Sequence, residues 1–158
     1  MHITTRYFGE IEIDEQKILY FEEGLIGFEN LKKFTLIYNN ETEYGKTIHW
    51  LQSLDEPMVA LPVINPFDIV VDYNPMINDE ILDSLGELNE ENTAVFLTLT
   101  IPSDISKMTT NLKAPIIVNA ENKKGCQVIA ENPEYVIKYN IYEVIQKIKE
   151  QCKGKEVE

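Results

Sequence analysis

Histidine and cysteine are scarce in this 158-residue chain, which contains two of each. His2 and His49 lie far from each other and from Cys126 and Cys152, so no pair has the spacing of metal ligands. We therefore expect neither a metal nor a cofactor. Two cysteines without an export signal are typical of a reduced cytoplasmic protein and not of a disulfide scaffold.

Long apolar runs are absent as well. No stretch reaches the roughly 18 apolar residues of a membrane-spanning helix, and residues 1–6 lack the charged and apolar regions of a secretion signal. Hydrophobic residues make up 44% of the sequence, which is ordinary for a globular protein with one core. We expect a single cytoplasmic domain, residues 1–158.

Basic residues are missing from one long stretch. Between Lys46 and Lys107 there is no lysine or arginine but there are eleven acidic residues, which supply most of the net charge of −13. Such a surface repels nucleic acids and anionic membranes, and it speeds encounter with a basic protein. We therefore expect a basic protein partner and no direct binding to nucleic acid or membrane. The alternative is a solvated face that only keeps the protein soluble.

Motifs of catalysis are also lacking. The sequence contains no nucleophile elbow, no P-loop and no dinucleotide-binding fingerprint. Acidic residues are so abundant that a pair of catalytic carboxylates is not excluded by inspection. A binding protein is therefore the favoured class, and a small-molecule-binding β-barrel or a carboxylate-dyad barrel enzyme is the alternative.

Residues 111–130 predict a β-hairpin with an unusual entry. Two apolar runs, residues 115–119 and 126–130, flank a turn at residues 122–125, in which Gly125 suits a left-handed conformation. Pro115 cannot donate a hydrogen bond to a strand ladder, so the preceding segment should enter as an edge or loop. This leaves Asn111 and Lys113 available for contact with a partner.

An Asn-Pro-Phe turn at residues 65–67 separates two apolar runs. We expect residues 68–73 to form a strand after this turn. Phe67 suits either a buried packing corner or a contact point, and single aromatic residues are more often buried. The sequence therefore favours the packing corner.

The remaining pattern predicts two helices and a sheet. Asn78 can cap a short acidic helix that ends at Gly86, and residues 93–101 suit a central strand. Ile141, Ile145, Ile148 and Cys152 share one face of a C-terminal amphipathic helix. We predict a mainly β fold, an antiparallel, closed or nearly closed small β-barrel (residues about 1–131) with one short helix and a C-terminal helical extension (residues about 133–152).

Several motifs, in the same order throughout, resemble the family of the bacterial flagellar assembly factor FliW. They are Gly-Leu-Ile-Gly-Phe at 24–28, Leu-Gln-Ser at 51–53, Asn-Pro-Phe at 65–67, Leu-Thr-Ile-Pro at 99–102, and the segment 111–119 with its Gly125 turn. The resemblance implies a small cytoplasmic β-barrel without catalysis. It also implies two alternative partners, flagellin and the RNA-binding translational regulator CsrA, whose repression of flagellin mRNA the protein prevents.

The acidic stretch and the resemblance together suggest two contact sets. A regulator that binds RNA presents Lys and Arg to phosphates, so the acids are expected to bind it, mainly by raising the association rate. These acids are Asp68, Asp72, Asp79, Glu80, Asp83, Glu87, Glu90 and Glu91. A second, more apolar set is expected to contact one of the partners, and it comprises Asn65, Phe67, Asn111 and Lys113.

Overall fold

A computed structural model describes residues 2–38 and 47–157 of the chain. Eleven strands are found in these ranges: β1 His2–Thr5, β2 Gly9–Glu12, β3 Leu19–Phe21, β4 Lys33–Ile37, β5 Ile48–Ser53, β6 Ala60–Ile64, β7 Thr93–Thr100, β8 Thr109–Thr110, β9 Ile116–Asn119, β10 Lys124–Gln127 and β11 Tyr139–Asn140. Two α-helices accompany them, α1 Asp79–Leu82 and α2 Tyr142–Val157. Neither helix of this described part is long and apolar enough to cross a membrane.

Seven strands form a closed barrel in the order β7, β6, β5, β4, β3, β10, β9, and β9 pairs with β7 to complete the ring. Every pairing in the ring is antiparallel except the two-residue parallel contact of β10 with β3. The prediction of a mainly antiparallel, closed β-barrel is confirmed. β8 and β11 extend the sheet from the C-terminal end of β7.

The barrel interior is filled by apolar side chains. Alternate residues of the strands point inward, and Phe21, Phe34, Leu51, Val63 and Ile116 are each at most 1% exposed. The rings of Phe21 and Phe34 meet edge to face with centroids 5.4 Å apart. The centre of the barrel is therefore a packed core.

A second core covers the outside of the barrel. The opposite faces of β6 and β7 contribute Ile64 and Leu97, which pack with Met108 and with Ile141 and Ile145. The Asn140 side chain caps α2 by accepting a hydrogen bond from the Tyr142 amide. The start of the C-terminal helix therefore packs on its own domain, as expected. The side chain of Cys152 lies outside the described residues.

The short acidic helix forms where the sequence predicts it. The Asn78 side chain accepts a hydrogen bond from the Glu80 amide at 3.0 Å, which caps α1. A single 3-10 turn then leads to Gly86, whose φ of +81° ends the segment. Leu85 is buried in that turn against Ile117 of the hairpin. The local capping chemistry thus positions an acidic helix on the barrel wall.

The hairpin of β1 and β2 is held to the barrel by aromatic contacts. The Tyr7 ring lies 5.3 Å and the Phe8 ring 5.8 Å from the Trp50 ring, and the Arg6 amide donates to the Pro57 carbonyl. Trp50 lies on β5, so these contacts join the hairpin to the barrel wall. An isolated two-stranded hairpin is marginally stable in water, so its position depends on these contacts.

The predicted left-handed conformation of Gly125 is wrong. Lys123, with φ of +63°, takes the left-handed position of the turn, whereas Gly125 lies within β10 opposite Val118. A Cβ atom on Gly125 would lie 2.5 Å from the ring of Phe21. The glycine is needed because an aromatic ring of the interior packs directly on the backbone of β10.

The predicted strand at residues 68–73 is also wrong. Pro66–Asp68 form a 3-10 turn, and the amides of Ile69 and Val70 both donate to the carbonyl of Pro66. Ile69 and Tyr73 are buried, whereas Val71 is 91% exposed. The apolar run is therefore a series of turns, and no strand ladder uses its backbone.

The contact of Gly125 with Phe21 gives a stability prediction. Gly125→Ala should lower the free energy of unfolding by about 1–3 kcal/mol, because the added methyl group overpacks the core. In the Phe21→Leu background the same substitution should cost less, because the six-membered ring has gone. Urea denaturation of the four proteins of this cycle measures both effects. If Gly125→Ala lowers the free energy of unfolding equally in both backgrounds, contact with the Phe21 ring is not the cause of the destabilisation.

Candidate functional site

All eight predicted acidic site residues lie in one segment, the acidic connection, which we define as residues 65–92 between β6 and β7. Every one of them is exposed. They follow the chain in three groups: Asp68 and Asp72 in the turns, Asp79, Glu80 and Asp83 in α1 and the 3-10 turn, and Glu87, Glu90 and Glu91 before β7. Their carboxylates are thus presented to solvent.

The second half of the acidic connection is anchored on the β9–β10 hairpin. The Asn119 side-chain amide donates to the Leu85 carbonyl at 2.8 Å, and the Asn122 amide donates to the same carbonyl at 2.7 Å. Asn92 is buried, and its side chain donates to the Glu87 carbonyl. These bonds hold the backbone beneath the acids, while the carboxylates themselves stay exposed.

The first half of the connection is anchored by Tyr73. Its hydroxyl donates to the Leu112 carbonyl at 2.7 Å, and its ring stacks on that of Tyr135 with centroids 4.8 Å apart. Burial, with a smaller contribution from Tyr135, raises the pKa of the Tyr73 hydroxyl well above its usual value. The hydroxyl therefore stays protonated and keeps donating this bond across the physiological range.

A third anchor joins the connection to a segment that we call the strap, residues 128–138 between β10 and β11. Asn132 of the strap is 4% exposed, and its side chain accepts from the Met76 amide at 2.5 Å and donates to the Asn74 carbonyl at 3.1 Å. The Asn74 amide in turn donates to the Tyr135 hydroxyl at 2.7 Å. The strap therefore fixes the backbone on either side of residue 75.

Phe67 is not a buried packing corner, contrary to the expectation from sequence. The Asn65 side chain caps the 3-10 turn by accepting from the Phe67 amide, and Pro66 takes the buried position. The Phe67 side chain is 52% exposed, and its ring meets the Tyr73 ring at 6.4 Å. The alternative use of Phe67, as a contact point, is therefore the one its exposure allows.

Tyr73 also brings Phe67 close to the second predicted segment. Asn111 and Lys113 are half-buried, and the Asn111 side chain accepts from the Lys113 amide in a local turn. Leu112 lies between them, buried, and its carbonyl receives the Tyr73 hydroxyl. Phe67 and Leu112 thus both contact Tyr73, which joins two parts of the apolar set.

His49, on β5, is linked electrostatically to the acidic connection. Its Nδ1 atom is buried without a hydrogen-bond partner in the described part of the chain, and its ring meets that of Tyr38 at 4.4 Å. Burial lowers the pKa of His49, and the negative charge of Asp68 partly offsets this effect. Asp68 therefore acts electrostatically on the barrel wall as well as facing solvent.

Within residues 2–38 and 47–157, no group of three or more His, Cys, Asp or Glu side chains is arranged to hold a metal ion. Cys126 is a free, half-buried thiol, and burial raises its pKa. The fold and the site together define a class: small closed β-barrels with a packed interior and a long acidic surface connection.

Comparisons with known proteins identify the family. The family model described as FliW protein matches residues 2–141, and the chain belongs to the FliW family. It is 57% identical to the flagellar assembly factor FliW of Lachnoclostridium phytofermentans, over 92% of this chain and 94% of that protein. It is 49% identical to the factor of the same name from Lachnospira eligens, over 93% and 98% of the two chains.

A solved structure supports the same assignment. The crystal structure of a flagellar assembly factor FliW superposes on this chain with a TM-score of 0.80 at 34% sequence identity. The superposition covers 89% of this chain and 96% of the other. The resemblance of the sequence motifs to the FliW family is therefore confirmed.

The electrostatic link between His49 and Asp68 is testable. The pKa of His49 should lie below about 6.5, so stability should fall as pH drops through that value, where the unfolded chain binds the proton first. Asp68→Asn should lower the His49 pKa further, because it removes the favourable charge. NMR titration of the His49 ring, with Asp79→Asn as control, measures both effects. A His49 pKa unchanged by Asp68→Asn would contradict the link.

Proposed function

We propose that this protein is a non-enzymatic cytoplasmic flagellar assembly factor that acts as a chaperone-like adaptor. It binds flagellin before export, and it antagonises the RNA-binding regulator CsrA. Flagellin and the regulator are alternative partners, so the translation of flagellin is coupled to flagellar assembly. Membership of the FliW family, whose relatives are named flagellar assembly factors, supports this proposal.

The observation that carries the regulator-binding part of the proposal is a set of exposed acidic side chains on an anchored backbone. The eight acids of the acidic connection are exposed, and three sets of anchoring bonds hold the backbone that bears them. A regulator that binds RNA presents Lys and Arg to phosphates. The acidic connection either occupies that cationic surface or opposes it electrostatically, and it speeds the encounter.

The packed interior supports an adaptor in preference to the alternative, a small-molecule-binding barrel or a carboxylate-dyad enzyme. Such proteins need a deep cavity with convergent polar groups. Here Phe21, Phe34 and Val63 fill the centre of the barrel, and each is fully buried. An open cavity of about 390 Å³ is lined by Leu19, Phe96 and other mostly apolar side chains, without a convergent set of polar groups.

The apolar set supports contact with one of the two partners. Phe67 exposes half of its surface beside the buried Tyr73, and an aromatic side chain on an anchored turn is typical of an interface hot spot. Asn65 holds the turn through its cap, and Asn111 holds the neighbouring turn. We assign these residues the preorganisation of the surface and Phe67 the main contact.

The acids predict salt-dependent binding of the regulator. Raising the ionic strength from low to about physiological, where the screening length falls toward ~8 Å, should weaken binding mainly by lowering the association rate. Asp79→Asn/Glu80→Gln/Asp83→Asn should lower that rate by about three- to tenfold. The charge-matched control is Glu10→Gln/Glu12→Gln/Glu15→Gln, at exposed residues of β2 and of the 3-10 turn that follows it. Stopped-flow or biosensor kinetics measure the rates, and salt-independent binding would refute the role of the acids.

Replacing Phe67 should remove a contact with a partner without unfolding the protein. Phe67→Ala should weaken binding of flagellin or of the regulator by about 1–3 kcal/mol, while the melting temperature changes little because the side chain is half exposed. Met58→Ala, at a residue that is 55% exposed, is a matched control. Calorimetric titration with each purified partner measures the effect. If both partners bind Phe67→Ala as they bind the wild type, the apolar contact is disproved.

A further inference from the structure

A cavity of about 400 Å³ opens between the acidic connection and the strap. We call it the Asp72 cavity. Its lining includes Asp72 and Asn74 from the connection and Asn132, Glu134 and Tyr135 from the strap. The hydrogen bonds of Asn132 and Tyr135 to the backbone of residues 74–76 fix the two walls relative to each other. The cavity is therefore preformed, with hydrogen bonds between its two walls.

The charged groups that line this cavity are all acidic. Asp72 has no hydrogen-bond or ion-pair partner within the described residues. One carboxylate oxygen of Glu134 accepts from the Asn132 side chain at 3.2 Å, which orients the group and leaves its other oxygen available. Among the described residues, no lysine or arginine lines the cavity. Its occupant should therefore carry positive charge.

An aromatic ring forms part of the same wall. Tyr135 is half-buried, one face of its ring stacks on Tyr73, and its hydroxyl is fixed by the Asn74 amide. A ring beside two carboxylates suits a guanidinium group, which stacks on aromatic rings and pairs with carboxylates through several N–H donors. A bound Ca²⁺ is less suited, because it needs six to eight oxygen ligands.

We propose that the Asp72 cavity receives an arginine side chain of the basic RNA-binding regulator. This inference rests on the proposed function and adds a specific contact to it. Asp72 and Glu134 pair with the guanidinium, and Tyr135 packs against it. Met76 lines the same cavity with an exposed side chain, so a bound partner covers an apolar group together with the charge pair. The cavity thus supplies a specific anchor, whereas the rest of the acidic connection supplies attraction at longer range.

The association and dissociation rates distinguish the anchor in the Asp72 cavity from the longer-range attraction of the other acids. A desolvated charge pair controls the dissociation rate, whereas exposed charges control the association rate. Asp72→Asn/Glu134→Gln removes both charges and preserves the shape of the cavity, including the acceptor for Asn132. Glu15→Gln/Glu23→Gln removes the same charge from exposed positions elsewhere. Matching melting temperatures establish that both variants are folded.

The test is a biosensor measurement with the purified regulator. The dissociation rate should rise about tenfold or more in Asp72→Asn/Glu134→Gln, and it should stay within about twofold of the wild type in the control. Equal dissociation rates in the two variants would overturn the anchor while leaving the proposed function intact. Failure of the wild-type protein to bind the regulator would overturn both.

A second experiment tests the choice of arginine. Each exposed arginine of the regulator is changed to lysine, one at a time, and each variant is measured against the wild type and Asp72→Asn/Glu134→Gln. One substitution should speed dissociation from the wild type and have little further effect on the cavity variant, because the two groups act as a pair. If every substitution has the same effect on both proteins, the assignment of an arginine is refuted.

Discussion

The pairing of β7 with β9 is the constraint on which the rest of the structure depends. Thr93 to Phe96 pair with β9, while Thr98 and Leu97 pair with β6 and the last residues of β7 pair with β8. One strand therefore closes the barrel and carries the outer layer. Because the acidic connection runs from β6 into β7, closure of the ring also fixes where that connection begins and ends.

Local chemistry made much of this fold predictable. A side-chain cap at Asn78 and a positive φ at Gly86 depend on neighbouring residues, so they can be recognised in a single sequence. The need for Gly125 is tertiary, because the ring that excludes a side chain there belongs to Phe21, about a hundred residues earlier. A single sequence does not distinguish a glycine required by a turn from a glycine required by close packing.

For the candidate site, too, the features set by local sequence were predictable and the long-range contacts were not. The acids are exposed because charged groups in an acidic, base-free stretch have no partners with which to be buried. Asn132 and Tyr135 were not predicted, since their hydrogen bonds to residues 74–76 span more than fifty positions and leave no local pattern. The strand predicted at 68–73 does not form, because the amides of Ile69 and Val70 donate to Pro66 within the turn. An apolar run alone does not specify a partner strand.

The contact of the N-terminal hairpin with Trp50 has an optical consequence. Trp50 is the only tryptophan of the chain, and the rings of Tyr7 and Phe8 pack on it. Its indole emission therefore reports whether the β1–β2 hairpin is packed against the barrel wall. Detachment of the hairpin would wet the indole and shift its spectrum to longer wavelength while the core of the barrel is still intact.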